Sequence, residues 1–242
     1  MRHMWTRTLM VGIGLLSLVM ADASFSYAGR FSKEDIARYG FKKEQNSEYQ
    51  LGKEDVIEIA VRLHPEYSGV FPINAEGKVQ YPFVGDIIVE GMTKAKAVDV
   101  LREALKVFLE EPEVYITIKE YNSKVVYVIG MVKNPGKHPM KAEVMSLRDA
   151  VLAAGLPREN TASLRRSLII RPLEDGRIVV KKVNLLALLY EGKVDLNYDL
   201  LAGDTVYVPS TAVYKMSEVF KQVIGPFYQG AVVYEQYDNI KN

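Results

Sequence analysis

Residues 124–140, KVVYVIGMVKNPGKHPM, carry the reading that decides the fold. Residues 125–129 are a β-branched and aromatic run of the kind that suits a half-buried strand. Gly130 interrupts it, as a bulge or a close backbone approach requires. Asn134-Pro135-Gly136 then sets Pro second and Gly third in a four-residue turn, the type II preference, which predicts a hairpin.

Downstream of that hairpin, Ser146 is placed to cap a short helix over residues 147–154. Asp149 stands in capping-box position and Gly155 at the far end. Residues 168–171 and 177–183 read as strands around Glu174-Asp175-Gly176. Asn184 starts a further short helix that Gly192 stops, and LAGDTVYVP (201–209) closes the unit as a strand. Strand, helix and three strands in this order fit a β-grasp arrangement.

Upstream, Val56, Ile57, Ile59 and Val61 around Glu58 read as a strand entering a core. Residues 71–74 and 78–83 flank Ala75-Glu76-Gly77 like a hairpin. Thr93 is a candidate N-cap for a helix whose Ala97, Val98, Leu101, Ala104, Leu105 and Phe108 form one stripe, with Pro112 as its stop. Val114, Ile116 and Ile118 alternate in a last strand. Residues 49–121 are thus an α+β unit. LGKEDVIEI (51–59) and LAGDTVYV (201–208) echo one another, each with Gly and Asp ahead of a β-branched strand. Convergent turn chemistry explains that as well as kinship does.

Composition narrows the function classes. The 242 residues are 48% hydrophobic and 25% charged, ordinary globular values. The 31 Lys and Arg nearly cancel 30 Asp and Glu, so no nucleic-acid footprint is present. The absence of cysteine removes thiol catalysis, disulfides and a lipid anchor on an N-terminal Cys. Arg2 and Arg7 precede an apolar run over residues 9–20, and Ala21-Asp22-Ala23 fits a cleavage signal after Ala23; Ser26-Tyr27-Ala28 is a second candidate. Twelve apolar residues are too few for a span of about 20. The expectation is a secretory signal peptide over residues 1–23 and a polar linker over 24–48.

As a string, VYVIGMVKNPGKHPM resembles the strand-turn-strand of the SLBB domain, a small β-grasp module. Residues 49–209 as a whole resemble the polysaccharide export (Wza-like) family. Tyr49-Gln50-Leu51-Gly52-Lys53-Glu54-Asp55-Val56-Ile57-Glu58-Ile59 matches its opening Y-x-L-G-x-G-D-x-L-x-I. NAEGKVQYPF (74–83), PEVYITIKEY (112–121), LRDAVLAAG (147–155) and GDTVYVP (203–209) follow in the family order. Glu54 stands where the family has a second Gly, and Lys96 where it has an acidic residue. The resemblance implies a short form: a polysaccharide export domain over 49–121, one SLBB domain over 124–209, and a C-terminal amphipathic helix and tail over 211–242.

On a helix, Val213, Met216, Val219, Phe220, Val223, Ile224 and Phe227 share one face, and Lys215, Glu218, Lys221, Gln222 and Gln229 the other. Residues 213–233 as a helix are about 30 Å long, the thickness of a bilayer core. Three arrangements compete: a helix packed on its own domain, one lying flat on a membrane, and one spanning it within a ring. In the last, the apolar face meets lipid and the polar face a wet lumen; Gly225-Pro226 and Gly230 work against it. Long family members form such a barrel, and the resemblance favours it.

Only His64 and His138 remain beyond the signal region, each beside a proline, with no second ligand at metal spacing. No nucleophile motif or phosphate loop appears, so no enzyme and no cofactor are assigned. The expectation is a ring-forming, homo-oligomeric component of a polysaccharide exit channel in the periplasm and outer membrane. The resemblance implies the polymer, outer-membrane lipid and an inner-membrane co-polymerase with a tyrosine-kinase-like domain as partners. The alternatives are a periplasmic ligand-binding or adaptor protein paired with a separate pore and, less favoured, a carbohydrate-active enzyme.

Overall fold

The computed structural model describes residues 48–211 and 232–234, which form two α+β units in succession. The first is built on a three-stranded antiparallel sheet, β1 (Val56–Val61) flanked by β2 (Gly69–Pro72) and β5 (Val114–Glu120). Ile57, Ile59 and Val61 point into the core while Glu58 faces outward to Lys119 at 2.9 Å. A second ribbon pairs β3 (Lys78–Tyr81) with β4 (Gly85–Ile88).

Helix α1 (Lys94–Leu105) covers this unit. The Thr93 hydroxyl accepts from the Lys96 amide at 3.3 Å, a cap of about 1 kcal/mol, and Ala97, Leu101 and Leu105 are fully buried. Truncating either leucine to Ala removes about 2–5 kcal/mol.

The second unit contains β6 (Val125–Gly130), β7 (Gly136–Pro139), β8 (Met145–Ser146), α2 (Leu147–Ala153), β9 (Ser167–Pro172), β10 (Ile178–Val183), α3 (Leu185–Tyr190), β11 (Asp199–Leu200), β12 (Thr205–Val208) and β13 (Val232–Tyr234). Its main sheet runs β13-β10-β9-β12-β6-β7, with β12 parallel to β6 at the centre. The Ser146 hydroxyl accepts from Asp149 N at 3.1 Å, and Asn184 caps α3 by accepting from Ala187 N at 3.1 Å. Both caps stand where the sequence puts them.

Gly130 has φ +94, and a Cβ there would lie 2.2 Å from the Val208 carbonyl oxygen. The interruption in the signature strand is therefore the place where β6 and β12 close upon one another. The 131–135 connection is an excursion rather than a tight turn. Lys133 and Asn134 amides bond Leu156 O and Ala154 O, and Gly136 already belongs to β7.

Three further expectations are corrected. Residues 71–83 do not form one hairpin: the turn at Asn74–Gly77 exists, but β2 pairs with β1 and β3 with β4. Helix α1 stops at Leu105, well before Pro112, because the chain turns to tuck in Leu109; Phe108 is left 47% exposed. Val232 and Val233, placed in the terminal helix, lie in β13, parallel to Ile178–Val180 of β10. The free edge of β10 supplies backbone partners that the helix reading did not consider.

Candidate functional site

The densest polar cluster sits at the joint between the units. Asp55 is fully buried. It follows a turn in which its carboxylate accepts from Gly52 N at 2.9 Å, while its own amide donates to Gly52 O at 3.3 Å. The same carboxylate accepts from the Tyr49 hydroxyl at 2.8 Å and the Asn122 amide at 2.8 Å. Ser123 adds its amide at 2.8 Å and its hydroxyl at 3.0 Å. Five donors converge on one anion, which is how a buried carboxylate is tolerated. Burial pushes the Tyr49 hydroxyl far up from its ordinary value.

The outer side of the joint is ionic. Lys124 meets Glu143 at 2.8 Å and lies 4.5 Å over the Tyr49 ring. Glu143 also accepts from Gln50 N at 2.7 Å. Tyr49 and Tyr121 meet edge to face at 4.9 Å. Asp55 thus ties the first unit to the 122–123 connector, and Glu143 of the second unit reaches back to Gln50.

The second unit repeats the turn. Asp204 accepts from Leu201 N at 2.9 Å and donates its amide to Leu201 O at 3.0 Å. The residue before each aspartate is left-handed, Glu54 at φ 70 and Gly203 at φ 89. The echo read in the sequence is therefore one turn geometry used twice. Here the buried partner is Arg171, which donates from Nε at 2.9 Å and Nη2 at 2.7 Å. Burial pushes the Asp204 carboxyl up, against the pull of that guanidinium.

A cavity of about 360 Å³ opens beside the joint, lined by Tyr49, Tyr121, Thr117, Lys94 and Glu48. It offers aromatic edges and hydrogen-bonding groups. His64 lies 3.0 Å from Glu66 and His138 3.2 Å from Asn134 O, far from any shared centre. Among the described residues no group of three His, Asp or Glu is placed to hold a metal ion. Nor is any helix among them long and apolar enough to cross a membrane, which leaves β-barrels unaddressed.

The cleavage position Ala23 lies outside the described residues, as do the apolar positions Val213, Met216, Val219, Phe220, Val223, Ile224 and Phe227. The polar positions Lys215, Glu218, Lys221, Gln222 and Gln229 lie outside them too. The joint itself was missed in the sequence. Its one legible signal was Asp55 following a Gly-containing turn.

The family of polysaccharide biosynthesis/export proteins matches residues 43–119, and the SLBB domain matches residues 124–208. The EPS I polysaccharide export outer membrane protein EpsA of Ralstonia solanacearum is 28% identical over 185 residues, covering 66% of this chain and 47% of that protein. The polysialic acid transport protein KpsD of Escherichia coli is 26% identical over 178 residues, 73% of this chain and 30% of that one. The capsule polysaccharide export outer membrane protein CtrA of Neisseria meningitidis is 32% identical over 109 residues, 43% and 28% respectively. The chain spans less than half the length of each of these relatives, all of them named for export or transport rather than for a catalysed reaction. With one export domain and one SLBB domain, in that order and joined through Asp55, the chain belongs to the polysaccharide export family.

Proposed function

We propose that this chain is a non-enzymatic component of a polysaccharide exit channel, acting outside the cytoplasm as a ring of identical copies. The observation that carries the reading is the joint. It ties the export domain to the 122–123 connector through the buried Asp55 carboxylate and to the SLBB domain through the Gln50–Glu143 hydrogen bond, which favours a set angle between the parts of each copy. Copies with one fixed shape repeat the same head-to-tail contact, and where its rotation closes the result is a ring. An inner-membrane co-polymerase with a tyrosine-kinase-like domain supplies the polymer and the driving force, and outer-membrane lipid surrounds the exit.

Docking of β13 on β10 favours a second reading, in which the tail stays on its own domain and a separate outer-membrane protein supplies the pore. Particle size of the full chain in mild detergent tests the first reading: assemblies of many copies are expected, and a monomer in every condition refutes it. Deleting residues 212–242 separates the two. Loss of membrane association and export supports the spanning tail, whereas retention of both supports the separate pore.

A further inference from the structure

One end of the first unit carries apolar side chains that stand exposed among the described residues. Three connections meet there: residues 62–68 after β1, 82–84 between β3 and β4, and 106–113 after α1. Leu63 is 86% exposed, Phe83 68% and Val107 82%. Tyr67 gathers the rings, 5.1 Å from Phe83 and 6.4 Å from Phe108. The surface is held rigidly from below. The Tyr81 hydroxyl donates to the Tyr67 carbonyl, and Ser68 donates to His64 O at 3.1 Å while accepting from Val61 N at 2.9 Å.

The backbone adds a second, independent observation. Leu63 and Phe83 are both left-handed, at φ 62 and φ 63, a conformation that bulky residues avoid. Two strained turns therefore hold large apolar groups out into water. The turns are closed by His64 N to Val61 O at 3.1 Å and Val84 N to Pro82 O at 2.8 Å, which holds both side chains outward, and large apolar groups exposed at one end of a unit mark an interface.

Charge identifies the occupant. Arg62 is paired with Glu113 at 2.9 Å and Lys106 with Glu103 at 2.6 Å, while Glu110 and Glu111, in the same connection as Val107 and Phe108, are exposed. Residues 49–121 hold thirteen Asp and Glu against eight Lys and Arg. An anionic lipid surface repels such a rim. A second copy of the same patch meets it with like charges. Residues 124–208 reverse the balance, with thirteen Lys and Arg against nine Asp and Glu.

We infer that the Leu63–Tyr67–Phe83–Phe108 surface docks on the basic SLBB domain of the next copy. This is a heterologous contact of the kind that closes a ring, and it rests on the ring reading proposed above. Aromatic anchors on a rigid frame supply the affinity, and the opposed charges set which domain they meet.

The test is the full chain carrying Leu63→Asn and Phe83→Asn together, since Asn accepts left-handed backbone and removes the apolar groups. Thermal unfolding is expected at or above the wild-type temperature, while the concentration for half-assembly, read by light scattering in mild detergent, rises at least tenfold. Raising NaCl from 0.05 to 0.5 M is expected to raise that concentration at least tenfold in the wild type. A variant that folds and assembles like wild type overturns the inference and leaves the ring reading standing. Salt-independent assembly overturns the basic-domain occupant. A variant that loses binding to phosphatidylglycerol vesicles but still assembles assigns the patch to lipid and refutes the docking. A wild-type chain that is monomeric throughout refutes the ring reading and this contact together.

Discussion

Replacing Glu54 by Gly is expected to make the protein more stable. Glu54 has φ 70 in the turn that presents Asp55, and the equivalent place in the second unit is Gly203 at φ 89. The turn is set from outside: Glu54 N donates to Ile73 O at 2.9 Å, and its carbonyl accepts from Asn122 Nδ2 at 3.1 Å. The left-handed conformation costs a non-glycine residue about 1–2 kcal/mol. Glycine removes that strain but gains freedom in the unfolded chain, which offsets about 0.4–1 kcal/mol. The net gain is about 0.5–1 kcal/mol. For a unit of this size each kcal/mol moves Tm by about 4–8 °C, so a rise of about 2–8 °C is expected in calorimetry or by circular dichroism. Glu54→Ala is the control, because it removes the charge but keeps the Cβ and so the strain. An unchanged or lowered Tm for Glu54→Gly refutes the reasoning. An equal gain in Glu54→Ala refutes it too, since charge relief in an acidic domain would then be the cause.

Asp55→Asn turns part of an acceptor facing five donors into a donor, and is expected to remove about 3 kcal/mol or more while opening residues 122–124 to protease. Urea titration and limited proteolysis read both effects. Gly130→Ala drives a Cβ into the Val208 carbonyl, so a loss of about 2 kcal/mol or more and exchange of the β6 and β12 amides are expected in hydrogen-exchange measurements. Arg171→Met alone leaves a buried carboxylate uncompensated and loses about 3–5 kcal/mol. Adding Asp204→Asn, which can still accept from Leu201 N, is expected to recover most of it in the same titration.

What the sequence made legible was local. Thr93, Ser146 and Asn184 each announced a helix start because a cap acts within three residues. Gly130 announced a close approach because only glycine leaves room for it. The misses were choices between partners. Residues 78–81 alternate equally well for pairing with 69–72 or 85–88, and the tertiary fold takes the second. The joint was hidden for the same reason. Asp55 finds Ser123 68 residues away and Gln50 finds Glu143 93 residues away, separations at which no periodicity or spacing survives. The apolar stripe of α1 was right up to Leu105. Adding Phe108 to it assumed that the helix continues, so the exposed surface was read as core.

The two readings proposed for the pore, a spanning tail and a separate protein, turn on one strand. Thr211 N donates to Thr161 O at 2.8 Å, and Val232–Tyr234 pairs with Ile178–Val180, so the chain is bonded to the second unit on both sides of residues 212–231. Twenty residues suffice for a single helical passage through a bilayer, which leaves its ends on opposite faces. A passage out and back needs about twice that length. A single passage through lipid between these two anchor points therefore requires β13 to leave β10. That departure exposes the edge of β10, whose free amides and carbonyls then seek another strand. Insertion and capture of that edge by a neighbouring strand are thus coupled.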